Sequence, residues 1–356
     1  MTSVTDLRDL RQVVDVVIGV DTHVHTHSAA AVDARTGGVL DEVTVEATAD
    51  GYAQLVEFAD EHAALRAWAI EGTGGHGAGL TRHLERGEEV VIELDRPERA
   101  KRRNGAKSDP LDAIRAAREA LSRAKLGTPR GGGDRQALSV LLATRRSAVD
   151  ASTDAQRQLF SLVIAAPEPI RERFRGQKLP AMIRTASSMR LSSTWDVETT
   201  TTVVALRSLA RRARALAEEA AEHEKAIRII VRSWRPDLLA QPGVGPIVAA
   251  TVLCAWSHPG RIHSEAAFAM LAGAAPIPAN SGQVTTRHRL NRYGDRQLNR
   301  ALHTIALSRI RYDETTRRYV ARRTSEGKTS REIKRCLKRY IARDLYRILE
   351  SAPARA

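Results

Sequence analysis

The stretch Asp21-Thr-His-Val-His-Thr-His27 sets one carboxylate and three imidazoles at intervals of two. On a continuous strand all four side chains would share a face, an arrangement fit for a histidine metal centre. If the chain turns within the stretch, only Asp21 keeps a chemical role. Its natural partner is Glu71, which closes the apolar run AWAIE. Carboxylates at the ends of buried strands are costly unless compensated, and a divalent cation compensates them. Two more follow in KSDPLDA, where Asp109 and Asp112 lie one helical turn apart and Pro110 suits the first helical position. Asp109 would equally serve as an N-cap, with Asp112 as its capping-box-like partner. Four carboxylates at strand, strand and helix start nevertheless match the oxygen-rich coordination of Mg²⁺, with Mn²⁺ as a substitute, and two-metal phosphoryl transfer. Asp21, Glu71, Asp109 and Asp112 are therefore preferred to the histidine centre.

Other motifs compete for attention. Glu71 is followed by GTGGHG, a literal G-x-G-x-x-G, and the next strand ends in Glu93 and Asp95, where a ribose-binding acid would stand. A dinucleotide there would set its pyrophosphate beside the like charge of Glu71, and three strands precede the supposed first βα unit. Further on, Gly243 and Gly245 in QPGVGPIVAATVL resemble the hairpin of a helix-hairpin-helix, where backbone N–H groups approach a phosphate. The same glycines also suit a plain helix-capping turn. Ser281-Gly282 sits in a Pro-rich loop ahead of Arg287, Arg289, Arg292 and Arg296, four cations suited to phosphates. A serine beside glycine is ordinarily a turn residue, and no His/Asp pair nearby marks a hydrolase triad.

The elements that must position these groups are readable from periodicity. Val13 to Thr48 reads as three antiparallel strands with tight turns, followed by a helix DGYAQLVEFADEH with Asp50 as N-cap. Strand LRAWAIE, helix GAGLTRHLERG, strand EVVIELD and helix DPLDAIRAAREALSRAK complete a mixed α/β sheet that GTPRGGG closes near residue 130. Then comes one long helix, DRQALSVLLATRRSAVDASTDAQRQLFSLVIAA, ended by Pro167, and a Ser/Thr-rich interval over 188–202. A second long helix, 203–233, carries Leu206, Leu209, Ala213, Leu216, Ala220, His223, Ile227 and Ile230 at alternating spacings of three and four, a coiled-coil seam. Its alanines fit an intramolecular hairpin or a dimer equally well. The division predicted is 1–130, 131–236 and 237–356.

Composition narrows the partners. Among 356 residues the net charge is +14, but residues 1–100 carry −11, residues 101–280 carry +12 and residues 281–356 carry +13. An acidic front and a basic rear, with 48 of 56 basic residues arginine, point to a polyanion held by the rear. Cys254 and Cys336 match no zinc or disulfide spacing, and no apolar run is long enough for a membrane span. A cytoplasmic, nucleoid-associated protein without a membrane partner is expected.

Taken in order, these motifs resemble the DEDD transposases of the insertion sequence 110 type, which are RNA-guided DNA recombinases. IGVDTHVHTHSAAAVDARTG, AIEGTGGHG and KSDPLDA are similar to the family's strand, glutamate and paired-aspartate motifs. DRQALSVLLATRRSAVDASTDAQRQLFSLV is similar to its helical stretch, and QPGVGPIVAATVL, AGAAPIPANSG, RYGDRQLNRAL and RRYVARRTSEGKTSREIKRCLKRYIARDLY to its C-terminal domain. The resemblance implies an RNase H-like (RuvC-like) first domain whose metal tetrad is Asp21, Glu71, Asp109 and Asp112. It implies a helical coiled-coil middle and a mainly helical C-terminal domain. It makes Ser281 the nucleophile that becomes covalently joined to DNA, with a guide non-coding RNA choosing target and donor by base pairing. A homo-oligomer, dimer or tetramer, would allow a composite site. Asn280 stands where many relatives carry a second serine, and Val24 and His25 replace a lysine common after the first aspartate. A metal-dependent nuclease or junction resolvase with a structural serine, or a non-catalytic nucleic-acid scaffold, are the alternatives.

Overall fold

The computed structural model describes residues 9–94, 109–278 and 288–351, which divide between Gly131 and Gly132 into two compact units. In the first unit, β1 (Val16–Thr22), β2 (Thr26–Asp33) and β3 (Val39–Glu46) form an antiparallel meander. Next come α1 (Ala49–Asp60), β4 (Arg66–Glu71), α2 (Ala78–Arg86), β5 (Val91–Leu94) and α3 (Asp109–Ser122). The sheet order is β3-β2-β1-β4-β5, with β4 parallel to both β1 and β5. This five-stranded mixed sheet flanked by helices is compatible with an RNase H-like α/β fold.

Strand alternation sorts the two faces. Val16, Ile18 and Val20 of β1, with Trp68 and Ile70 of β4, pack against Leu55 and Phe58 of α1 and Leu80 and Leu84 of α2. The intervening Val17, Ala67 and Ala69 meet Ala116, Ala117, Ala120 and Leu121 of α3 on the other side. The small residues let α3 approach closely, and Gly19 sets the limit. A Cβ there would stand 2.0 Å from the Ala113 carbonyl oxygen and 2.7 Å from the Ala117 nitrogen. No side chain fits between that strand and that helix backbone. At the start of β4, Arg66 grips Glu89 through Nε (3.1 Å), and Glu89 also accepts from the indole Nε1 of buried Trp68 at 2.8 Å.

The second unit is helical. α4 (Gly133–Ala165) runs into α5 (Glu168–Arg171), a 3₁₀ turn (Glu172–Phe174), α6 (Leu179–Ser188) and α7 (Val197–Trp234). α4 and α7 form an antiparallel pair: Ser152 Oγ donates to the Ala213 carbonyl (2.9 Å) and Arg145 meets Glu224 (2.9 Å). Of the seam expected on α7, Leu206, Ala213, Ala220 and Ile227 are buried, while the alternate positions are half-buried. The pair carries a core at each end. At one end Leu159, Val163, Leu206 and Ala210 enclose Ile170, Phe174 and Met182. At the other, Leu138, Ile227 and Val231 join the core of the remaining helices. These are α8 (Pro236–Leu239), α9 (Pro246–Trp256), α10 (Glu265–Leu271), α11 (Arg296–Tyr312), α12 (Glu314–Ser325) and α13 (Ser330–Glu350), with a small antiparallel ladder of β6 (Ile277–Pro278) and β7 (His288–Arg289). Buried Arg235 caps α13, donating to the Leu349 carbonyl (2.8 Å) while its Nε holds Asp237 at 3.0 Å. Among the described residues no helix is long and apolar enough to cross a membrane.

Two local expectations are corrected. The N-cap of α1 is Thr48, whose extended backbone lets Oγ1 accept from Gly51 N at 3.2 Å, and Asp50 lies within the first turn. The Ser/Thr-rich interval does not run to residue 202, because Asp196 caps α7 by accepting from Thr199 N at 2.7 Å. A run of threonines weakens a helix by restricting χ1, yet one strong cap and buried Thr199 and Val203 hold it.

Gly19→Ala tests the close approach. The strand and α3 must separate to admit one methyl group, at a cost of about 1–3 kcal/mol. The expected result is a lower urea midpoint for the first unit, followed by amide hydrogen exchange of β1 and α3; an unchanged midpoint would show that α3 is not held where described.

Candidate active site

Asp21 and Glu71 close neighbouring parallel strands. Val20 is paired with Ile70, so the two carboxylate residues follow side by side, on strands about 4.8 Å apart. Alternation sets both on the α3 face, because Val17, Ala67 and Ala69 lie there and the residues are odd-numbered with them. Asp21 is mostly buried, with 19% of its side chain exposed, and its Oδ2 lies 3.2 Å from His23 Nε2. Thr22 Oγ1 donates to the Glu71 carbonyl at 3.1 Å, tying the two strand ends together.

α3 delivers its first turn to the same face. Ala113 O lies against Gly19, two residues before Asp21, and Ala113 and Ile114 pack on Ala30 of β2. Asp109 opens the helix, its side chain outside the described set, and Asp112 immediately precedes Ala113. The Asp112 carboxylate is partly exposed and takes a 2.6 Å ion pair from Arg115. The backbone thus gathers Asp21, Glu71 and the Asp109–Asp112 turn on one face of one sheet. Among the described residues no three His, Cys, Asp or Glu side chains stand close enough together to hold a metal ion. The donor set is wholly carboxylate, the chemistry suited to a hard divalent cation.

The histidines divide. His23 N donates to Thr26 O at 3.0 Å, closing the β1–β2 turn, in which His25 is exposed. His27 belongs to β2 opposite Thr22, so its ring enters the α1/α2 core, away from Asp21. It is fully buried, stacked on Tyr52 with centroids 5.7 Å apart and planes 7° apart, and its Nε2 has no hydrogen-bond partner among the described residues. Burial pushes the His27 imidazole below its ordinary pKa, against the raising effect of its contact with the Thr26 carbonyl. Tyr52 in turn packs on Gly79, and His27 and Asp21 lie on opposite faces of the sheet.

The GTGGHG glycines have local reasons. Gly72 turns with a φ of +74°, Gly75 N donates to Gly72 O at 2.8 Å, and Gly77 packs against Ile70 and Thr22. Buried Thr73 donates to Glu93 Oε1 at 2.9 Å, which occupies the acid weighed for ribose; Asp95 lies outside the described residues. In the second unit, Gly243 has a φ of +80°, and a Cβ on it would come within 3.0 Å of Ser308 on α11. Its smallness serves helix packing, with Arg309 Nε donating to the Pro242 carbonyl at 3.0 Å. Gly245 is open to solvent and caps α9 ahead of Pro246. Arg289, Arg292 and Arg296 are exposed, whereas Ser281 and Arg287 lie outside the described residues.

Comparison with known proteins covers both units. A family model of DEDD transposases of the IS110 type, described as "Transposase", matches residues 18–165. A second, described as "Transposase IS116/IS110/IS902 family", matches residues 237–321. The insertion element IS900 uncharacterized 42 kDa protein of Mycobacterium paratuberculosis is 37% identical over 92 residues, 26% of this chain and 23% of that protein. The aligned part of the chain spans about a quarter of that relative's length.

An acid limb in stability follows from His27. An unfolded histidine takes its proton near pH 6.5, while the folded one resists it. Below that pH the unfolded state therefore binds more protons, and stability falls by up to about 1.4 kcal/mol per pH unit until the depressed folded value is reached. Urea midpoints of wild type should drop between about pH 7 and pH 5 more steeply than those of His27→Phe; parallel curves would refute the assignment.

Proposed function

We propose, on the premise that this chain belongs to the insertion sequence 110 family of DEDD transposases, that it cuts and rejoins DNA strands by phosphoryl transfer. The observation that supports this reading is that Asp21 and Glu71 directly follow the paired Val20 and Ile70, on the face where α3 sets down its first turn. Asp21, Glu71, Asp109 and Asp112 would hold a divalent cation, Mg²⁺ with Mn²⁺ as a substitute. When bound, such an ion polarises the phosphodiester and stabilises the charge that develops on it.

The chain's own residues supply the rest. The backbones of Asp21 and Glu71 are fixed by the strand pairing and by the Thr22 hydroxyl, which limits the ordering left for their side chains when a cation and DNA bind. Ser281 supplies the nucleophile: its Oγ forms a bond to phosphorus, and the bond to one strand oxygen breaks. The protein is left esterified to one strand end, and the other end departs as a hydroxyl. Attack by a hydroxyl of the new partner strand reverses the step and frees the serine. Gly243, Gly245, Arg287, Arg289, Arg292 and Arg296 would contact backbone phosphates, the two glycines through their backbone N–H groups. A guide non-coding RNA would select the sequences, leaving the protein to read backbone and shape. The active form would be a homo-oligomer, dimer or tetramer.

Two substitutions test the reading. Asp21→Asn should lower strand cleavage by on the order of 10²–10³-fold or more while DNA still binds. Ser281→Ala should abolish the protein–DNA adduct seen on denaturing gels, along with strand transfer. Undiminished recombination by Asp21→Asn would refute the carboxylate site. Cleavage without an adduct in wild type and Ser281→Ala alike would leave a metal-dependent nuclease in its place.

A further inference from the structure

Several arginines of the rear helices are matched to carboxylates. Arg317 and Arg318 pair with Glu314, Arg322 with Glu326, and Arg339 with Glu265 at 3.3 Å. Two lysines are placed differently. Lys334 and Lys338 lie one turn apart on α13, half-buried, and among the described residues no carboxylate forms an ion pair with either. Lys338 Nζ donates to Asn299 Oδ1 at 3.0 Å, and Asn299 Nδ2 donates to the Ala272 carbonyl at 2.6 Å, so the ammonium is held in place by a neutral amide. His303, one turn beyond Asn299 on α11, faces the same two lysines; burial and their charge push its imidazole below the ordinary pKa. Burial likewise pushes the Lys338 ammonium down, with Arg335 adding to it. A partly desolvated, positioned cation pair without a counter-charge is a site awaiting an anion.

A second feature stands beside it. The loop between β7 and α11 crosses the α10 end where Gly294 packs on Gly273, and Gly273 in turn abuts the Asn299 amide. Asn291 ties this loop down, donating to the Met270 carbonyl (2.9 Å) and accepting from Tyr293 N (2.9 Å). On it stands Tyr293, an aromatic ring that is 92% exposed. Anchored loops with exposed rings beside lysines combine the two contacts a single strand needs: charge for its phosphate and a π-face for its base.

We propose that this end of the second unit seats a single-stranded stretch of nucleic acid, with a backbone phosphate on Lys334 and Lys338, a hydrogen bond from His303, and an unpaired base stacked on Tyr293. The proposal rests on the reading of the chain as a nucleic-acid enzyme. Cutting and rejoining strands exposes unpaired bases, and a guide RNA carries them as well, so the strand is DNA or RNA with the same phosphate and base chemistry.

The test is binding of labelled single-stranded DNA and RNA oligonucleotides to the full-length chain across a salt series. Lys338→Gln should reduce the slope of log affinity against log salt by about 0.7, and the double Lys334→Gln, Lys338→Gln variant by about 1.4. Tyr293→Ala should weaken binding roughly tenfold at an unchanged slope, and leave duplex binding as it was. Arg318→Gln, whose charge is already matched, should keep the wild-type slope, and thermal melting confirms that each variant is folded. The strand type whose slope changes is the occupant. Wild-type slopes and affinities in all three site variants would overturn the seat while strand transfer by the wild type left the proposed reaction standing. Wild type that bound neither strand would overturn both.

Discussion

The backbone of α3 lies against β1 with nothing between them, because residue 19 has no side chain. A helix that packs on a sheet through ordinary side chains is held off by them; here the Ala113 carbonyl occupies the space a Cβ would need. That contact fixes where the first turn of α3 ends up, and the odd-even alternation of β1 and β4 fixes which face their last carboxylates share. The geometry of Asp21, Glu71 and the Asp109–Asp112 turn is therefore a by-product of core packing. It is built from alanines and one glycine, and the acids are added at the edge of that packing. The arrangement concentrates negative charge on the acidic front of the chain, where a divalent cation or a phosphate bridged by one would relieve it.

The second unit solves a different problem with the same small residues. Ala148, Ser152 and Ala155 of α4 face Ala210, Ala213 and Ala220 of α7, and a hydroxyl-to-carbonyl hydrogen bond joins them in the buried centre. Helices paired this way have little apolar area to hold them, so the larger residues are kept for the two ends, where shorter helices wrap around them. The basic character of the rear then decorates helices already held by their cores. Arg317, Arg318, Arg322 and Arg323 are balanced by a carboxylate three or four residues away, and half-buried Lys338 of α13 is held instead by a neutral amide.

Element types were readable wherever periodicity was strong: the alternating strands, the two long helices and the seam of Leu206, Ala213, Ala220 and Ile227 all follow from spacing. What misled was local. Asp50 and Thr48 are both good caps, and only the extended backbone at Thr48 decides between them. The histidine series changes faces because three residues of turn, 23–25, intervene before β2, which a period of two alone does not reveal. The role of Gly19 was not legible at all, since its partner is a helix more than ninety residues later in the chain. The same holds for Gly243 against Ser308 and for Lys338 against Asn299: each depends on which helices become neighbours, and no spacing encodes that. The candidate carboxylates were found by residue type and strand position, but their shared face came only from the paired registers.

A helix of 38 residues, such as α7, is about 57 Å long. Because α4 runs beside it along most of that length and the contact is made of side chains too short to yield, the pair behaves as a stiff beam with a hydrophobic knob at either end. Beams transmit angle as displacement: a tilt of about 5° at the knob beneath α9–α13 would carry the far knob roughly 5 Å sideways.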